Sequence, residues 1–389
     1  MIEQNNPFIV EQIAKRNKNG ERFEYIALSA LMICIAFLTF FLYTLIKDGL
    51  PAFKQAYVKV EFTLSQEIIK NPYSAVSSQL RPLVSRAWLR NLPARVKNDK
   101  IEIGQSVSYW ALSSSQTDQY IKENYNKLTD NQKNLVDDMV KNGLIKQQFN
   151  GLFFKTGDSK IPESAGLLSA AIGTIMTMLV TMSLALPLGV ATAIYLEEFA
   201  KDNKFTQFIE ININNLNAVP SILFGLLGLA VFINIFGVPR SSPLVGGMTL
   251  ALMSLPVIIV SSRSALRAVP ATIRQAGFGL GLTKLQIVKD HVLPLAMPGI
   301  LTGSIIALAQ AMGETAPLMI VGMIAFVPDA PETITQAATV MPAQIFTWSG
   351  MPERMYVEKT SAGILVLLTI MLVLNSVAIY LRKKFQRKW

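Results

Sequence analysis

Residues Gln275 to Ile300 read QAGFGLGLTKLQIVKDHVLPLAMPGI, a glycine-bearing polar segment set between two long apolar runs and closed by Leu293-Pro294 and Pro298-Gly299-Ile300. Ala271 to Leu280 and Lys284 to Val292 can each form a short helix, with the break at Gly281 to Thr283. Two short helices at an angle make a knob. A membrane-embedded chain with such a knob is built to seat it in a cytosolic protein. The segment therefore predicts a channel-forming subunit driven by a separate polypeptide.

The flanks of this segment are apolar because most of the chain is. Hydrophobic residues make up 51% of the 389 positions and charged residues 16%, with a mean hydropathy of +0.37, which places the chain in a bilayer. The net charge of +10 is concentrated at membrane edges, in Lys15, Arg16, Lys18 and Arg22 and in Arg382, Lys383, Lys384, Arg387 and Lys388. That distribution fits cytosolic retention of both ends and not nucleic-acid binding. The single cysteine, Cys34, sits in an apolar run, so no intrachain disulfide can form.

Tyr25 to Ile46 follows the basic head as 22 nearly uncharged residues and reads as an uncleaved signal anchor, leaving residues 1–24 in the cytosol. Further runs able to cross about 30 Å of hydrocarbon fall at 165–195, 208–237, 244–263, 298–325 and 361–381. Six helices with cytosolic ends put 47–163 outside as one domain. Residues 164–389 then form a five-helix core, with 196–207 and the loop 264–297 inside and 326–359 outside. In the outer domain, Thr129-Asp-Asn-Gln132 is a capping box ahead of Leu135, Val136, Met139 and Val140, and a second helix is expected over 117–128. Arg81, Arg86, Arg90 and Arg95 surround Trp88 in a stretch that suggests no fold. They read as a solvated or headgroup-facing surface, with an anion funnel as the alternative. Pro328, Pro331, Pro342 and Pro352 mix with Phe346, Trp348 and Tyr356 in a segment suited to the outer interface, as an aromatic anchor or a docking surface.

The glycines at 277, 279 and 281 do not make a phosphate-cradling loop. In such a loop the lysine and hydroxyl follow the last glycine directly, between a strand and a helix. Here Leu282 and Thr283 intervene before Lys284 and the flanks are transmembrane. With no nucleotide site in the chain, the energy source is a partner. His291 is the only histidine, which leaves no pair for a histidine-based metal site or an acid-base dyad, so no metal or cofactor is expected.

The fifth span carries Gln310, Glu314 and Thr315 near its expected middle, between Gly313 and Pro317. An acidic group at the centre of a bilayer costs roughly 3 kcal/mol on insertion scales, so it marks a water-filled path or an ionic partner. In the third span Pro220 frees backbone carbonyls. Asn212, Asn214 and Asn215 read as its amphipathic approach, and Asn217 as either that or pore-lining.

The 275–300 segment resembles the EAA loop of binding-protein-dependent ABC importer permeases, whose coupling helix sits in a cleft of the ATPase. Ala276, Gly281, Leu293, Pro294, Pro298 and Gly299 match, whereas Gln275 stands in place of Glu, Gly277 in place of the second Ala and His291 in place of an aliphatic residue. Losing the Glu charge weakens one contact by about 1 kcal/mol if it is exposed. Gly313-Glu-Thr-Ala-Pro-Leu318 narrows the resemblance to PstA-type permeases of the phosphate importer. Tyr195-Leu-Glu-Glu198, Asn217 to Gly225 and Met341 to Trp348 agree with it.

The resemblance implies an all-α integral membrane protein of the type I ABC importer permease (MetI-like) fold. Its six transmembrane helices would have a partly helical extracytoplasmic domain inserted between helices 1 and 2. It implies phosphate movement by alternating access in the bacterial inner membrane, without covalent catalysis. It also implies a PstC-type permease as heterodimer partner, a PstB-type ATPase dimer and a PstS-type periplasmic phosphate-binding protein. Gln275, Ala276, Gly277, Gly281, Leu293 and Pro294 would meet the ATPase, and Glu314, Gln310, Thr315 and Asn217 would line the path. Gln310 stands where the family often has Arg. A permease for sulfate or molybdate would keep the loop without the Gly-Glu-Thr-Ala-Pro run, and a membrane receptor or scaffold would leave Glu314 without a role.

Overall fold

The computed structural model describes residues 7–324 and 326–385, so Arg387 and Lys388 of the basic C-terminal cluster lie outside the described residues. The first apolar run is one helix, α1 (Pro7–Gly49). Its side chains from Phe23 to Tyr43 stay largely exposed in the single chain, as they would facing lipid. It meets the rest of the molecule near its C-terminal end, where an added Cβ at Gly49 would lie 2.8 Å from Leu365 Cδ1.

The inserted segment is organised on a sheet that the all-α expectation did not include. β1 (Lys54–Thr63), β2 (Ser106–Leu112), α2 (Ser115–Ile121), α3 (Asp130–Lys141) and β3 (Ile145–Phe149) follow in order. β1 runs antiparallel between the other two strands, with Val58 opposite both Ala111 and Ile145. Ala56, Val58, Val60 and Phe62 are buried at alternate positions, the period of a strand with one face in a core. They pack with Trp88, Leu89, Leu92, Val136 and Met139. The Thr129 cap holds, its N–H donating to Gln132 Oε1 at 3.0 Å. The helix expected over 117–128 stops at Ile121, because Glu123 turns the chain with φ +59°.

The remaining elements are α4 (Leu168–Ile194), α5 (Lys204–Leu216), α6 (Ser221–Leu227), α7 (Pro243–Arg267) and α8 (Ala271–Gly279). They are followed by α9 (Leu293–Gly313), α10 (Ala316–Ile320), α11 (Met341–Ser349) and α12 (Arg354–Phe385). Small residues let the long helices touch, which is how association is achieved where lipid is as apolar as the side chains. Gly189 of α4 faces Ile258 of α7, Gly247 of α7 faces Val180 of α4, and Gly303 of α9 faces Ser261 of α7.

Among the described residues, five helices are long and apolar enough to cross a membrane, and the number reaches six if α5 and the helix that begins at Ser221 count as one span bent by 108°. That bent pair occupies the expected 208–237 span, and its break falls before Pro220, which disfavours helix at the residue preceding it. The expected 298–325 span is also shorter as a helix, since α9 ends at Gly313 and Glu314 is extended. Trp348 and Tyr356, expected at an interface, are instead buried with Phe153 and Leu167 in a core between the inserted unit and the bundle. Phe346 is exposed.

Candidate functional site

The knob forms as its glycines and caps dictate. After α8, Gly281 takes φ +75°, a conformation that costs an L side chain strain. Thr283 then restarts the helix: its N–H donates to Gln286 Oε1 at 2.9 Å, and Gln286 N–H donates to Thr283 Oγ1 at 3.4 Å. Lys284–Gln286 leads through a wide turn, Ile287–Val292, directly into α9. Gly277 is buried against this second arm, where an added Cβ would lie 2.7 Å from Ile287 Cγ1. Ile287 and Val292 pack with Leu196, Leu266 and Val269. Phe278, Leu280 and Leu285 remain 55%, 79% and 65% exposed, an apolar tip on an otherwise polar loop. Gln275 and Ala276 are exposed beside it, and Leu293 and Pro294 are half-buried where α9 begins.

A cluster of ion pairs fixes the knob to the helices. Tyr195–Phe199 widens the end of α4 into a π turn that carries Glu197 and Glu198. Glu198, only 5% exposed, accepts from Arg274 Nη2 of α8 at 2.5 Å. The same guanidinium donates to the carbonyls of Leu266 and Val269 at 3.0 and 2.9 Å, satisfying acceptors at the end of α7. Glu197 accepts from Arg263 Nε at 3.3 Å and Arg267 Nε at 2.8 Å, both on α7. Arg263 Nη2 also reaches Glu210 of α5 at 2.6 Å. Two adjacent carboxylates thus join α4 to α7, α8 and, through Arg263, α5.

The polar residues of the expected path lie at helix breaks. Asn217 caps α5 at the bend and is exposed; Gln310 is exposed on the last turn of α9; Glu314 and Thr315 are half-buried between α9 and α10. Among the described residues the Glu314 carboxylate makes no salt bridge, and its N–H donates to Ala311 O at 3.3 Å. The segments after the two breaks pack on each other. An added Cβ at Gly225 of α6 would lie 2.7 Å from Pro317 Cα of α10. Met341 to Trp348 is structural: Met341 N–H donates to Thr174 Oγ1 at 2.9 Å, and Gln344 Nε2 to the Gly166 carbonyl at 2.8 Å.

The fold therefore gathers Gln275, Ala276, Gly277 and Gly281 on one knob, while Leu293 and Pro294 begin the helix behind it. Sequence reasoning missed the ion cluster. Its signal was Arg263 and Arg267 four residues apart at the end of an apolar run, with Glu197 and Glu198 ending another.

Comparison with known proteins places this architecture among transport components. The family described as binding-protein-dependent transport system inner membrane component matches residues 185–389, and a domain of unknown function matches residues 10–79. The probable ABC transporter permease protein YqgI of Bacillus subtilis is 32% identical over 46% of this chain and 60% of its own length. The phosphate transport system permease protein PstA 1 of Mycobacterium tuberculosis is 34% identical over 41% of this chain and 53% of its own. The phosphate transport system permease protein PstA 2 of Mycobacterium bovis is 30% identical over 58% of this chain and 74% of its own. The chain thus spans a little over half the length of the first two relatives.

Proposed function

The chain belongs to the family of binding-protein-dependent transport system inner membrane components, and from that membership we propose that it is the PstA-type permease subunit of an importer for inorganic phosphate, driven by ATP hydrolysis on another chain. The observation that carries this reading is the pairing of two broken spans, Gly225 against Pro317, in a bundle whose knob is tied to it through Glu198 and Arg274. The names of two relatives support phosphate as cargo. Residues 1–24 and the C-terminus lie in the cytosol, 25–46 is the first span, 47–163 is a periplasmic domain, and 164–389 is a permease core of the type I importer fold with the coupling loop at 264–297.

Helix breaks inside a membrane are tolerated where the freed backbone lines a water-filled cavity or protein. A phosphate dianion leaving water needs its hydration replaced by donors. Gln310, Thr315 and Asn217 supply donors, and Glu314 either takes the proton of monohydrogen phosphate or pairs with a cation of the second permease. Because Gln310 carries no charge, the positive charge of the path comes from that PstC-type partner. Alternating access follows when a PstB-type ATPase dimer, gripping the knob at the exposed Gln275, Ala276 and Gly281 while buried Gly277 holds its two arms together, closes on ATP. A PstS-type binding protein delivers phosphate from outside.

The test is labelled phosphate uptake in cells lacking their own high-affinity importer, supplied with this chain and its partners, with sulfate as competitor and Glu314→Gln alongside. Uptake that resists sulfate and falls in the variant is expected. An assembled, ATP-hydrolysing complex that moves no phosphate would overturn the assignment, and Glu314→Gln with undiminished uptake would remove Glu314 from the path.

A further inference from the structure

We propose that Arg263, bridging Glu197 and Glu210, is the link through which movement of the knob reaches α5, the half-span leading into the break at 217–220. The proposal rests on the coupling role given to the knob above.

The isolation of α5 carries the argument. No residue of α5 is fully buried, and its apolar contacts are those of the half-buried Ile209 and Ile213, which join the cluster of Leu196, Leu266, Ile287 and Val292 under the knob. Its other side-chain hydrogen bonds stay within the neighbouring turn, from Asn212 to the Phe208 carbonyl, from Thr206 to the Lys201 carbonyl and from Gln207 to Asp202. Among the described residues, the one ion pair that ties α5 to another helix is Glu210 to Arg263 at 2.6 Å.

On the other side of Arg263 the path is continuous. Arg263 holds Glu197, Glu197 is covalently next to Glu198, and Glu198 grips Arg274 on α8. Arg263 is 12% exposed, so its pairs are shielded from solvent that would otherwise weaken them. Apolar contacts such as those of Ile209 and Ile213 permit sliding and rotation. An ion pair with directional hydrogen bonds resists both, so a push on α8 arrives at α5 and not only at α7. The three acidic and three basic members form one network, and Glu210 is the member whose loss removes the ion pair of α5, leaving it only the apolar contacts, while the clasp on the knob stays intact.

The experiment uses the complete importer in proteoliposomes, with Cys34→Ser in every version. Phosphate imported per ATP hydrolysed is measured, together with the distance between spin labels at Phe205 on α5 and Leu188 on α4, with and without ATP and vanadate. Both positions are exposed, at 71% and 55%. With Glu210 present, nucleotide trapping is expected to shift the distance. Glu210→Gln should retain ATPase activity within about twofold, lose the shift and lower the import ratio roughly tenfold, within the range typical of coupling between sites. Glu210→Asp should recover part of both. A Glu210→Gln complex with the parent's distance shift and import ratio would overturn the proposal, as would a parent complex in which α5 does not move. If the parent hydrolyses ATP without importing phosphate, the cargo assignment fails while the distance shift still decides the link.

Discussion

Gly281 sits at φ +75° with nothing within 4 Å of the position its Cβ would take, so a side chain there meets strain of the backbone and not a clash. The left-handed conformation costs a non-glycine residue about 1–2 kcal/mol, and a β-branched one suffers most. Gly281→Val is expected to unsettle the angle between the two arms of the knob and to reduce co-purification of the ATPase several-fold, while the long helices retain their thermal midpoint. Equal loss of both would show that the strain spreads beyond the knob. The sequence made this residue legible because Gly281 opens the break, Gly281 to Thr283, between two segments that can each form a short helix. Glu198 was legible as a motif member but not as the anchor of Arg274, since 76 residues separate the two.

Among elements, the knob and the Asp130–Lys141 helix follow local rules: the sequence located the helix through its cap and the knob through the break at Gly281 to Thr283. The two broken spans do so only in part: Pro220 marks the break at 217–220, and Gly313 and Pro317 flank the break at Glu314. Summed apolarity reads 298–325 as one run, although Gly313 and Pro317 loosen a helix locally; in the structure α9 ends at Gly313 and α10 packs on α6. That contact yields a prediction. At Gly225 an added Cβ would lie 2.7 Å from the Pro317 backbone, which cannot rotate away. Gly225→Val should force α6 and α10 apart at a cost of about 1–3 kcal/mol, the range for overpacking a tight interface. The expected readout is a lower thermal midpoint in detergent together with lost uptake. An unchanged midpoint would mean that the two segments separate freely.

For the whole molecule, the question is what holds the inserted unit to the bundle. Lys122 donates to Asp118 at 2.5 Å and to Glu358 of α12 at 3.1 Å, and Gln119 and Asn124 add bonds to Glu358 at 2.9 and 2.8 Å. Trp348 Nε1 donates to Asp158 at 2.9 Å on the same seam. Buried charges require this degree of mutual satisfaction, and breaking one partner is costly. The unit is thus expected to move with α12 rather than swing from a tether.

Burial raises the Asp158 carboxyl above its usual range, partly offset by the Trp348 N–H. A carboxyl raised in the folded state holds a proton that the unfolded chain has already released. Its stabilising contribution is therefore complete below the ordinary carboxylate pKa and is lost as pH rises through the folded value. Asp158→Asn keeps the acceptor for Trp348 and removes the titration. The thermal midpoint of the purified protein should therefore fall less in the variant than in the parent as pH rises from about 4, the ordinary carboxylate range, toward neutrality. A parallel fall in both would assign the pH dependence elsewhere.

What the sequence determined by itself were properties that depend on short-range chemistry or on summed apolarity. Runs of hydrocarbon side chains announce the membrane helices, and the break at Gly281 to Thr283 announces the knob. The tertiary structure decided where Arg263, Arg274 and Glu210 find their carboxylates and cations. It also decided that Trp348 and Tyr356 are core and that β1 pairs with two distant strands. Each of these depends on groups far apart in the chain meeting in space. An isolated run of sequence carries the cost of burying a charge or breaking a helix but not the identity of the neighbour that offsets it.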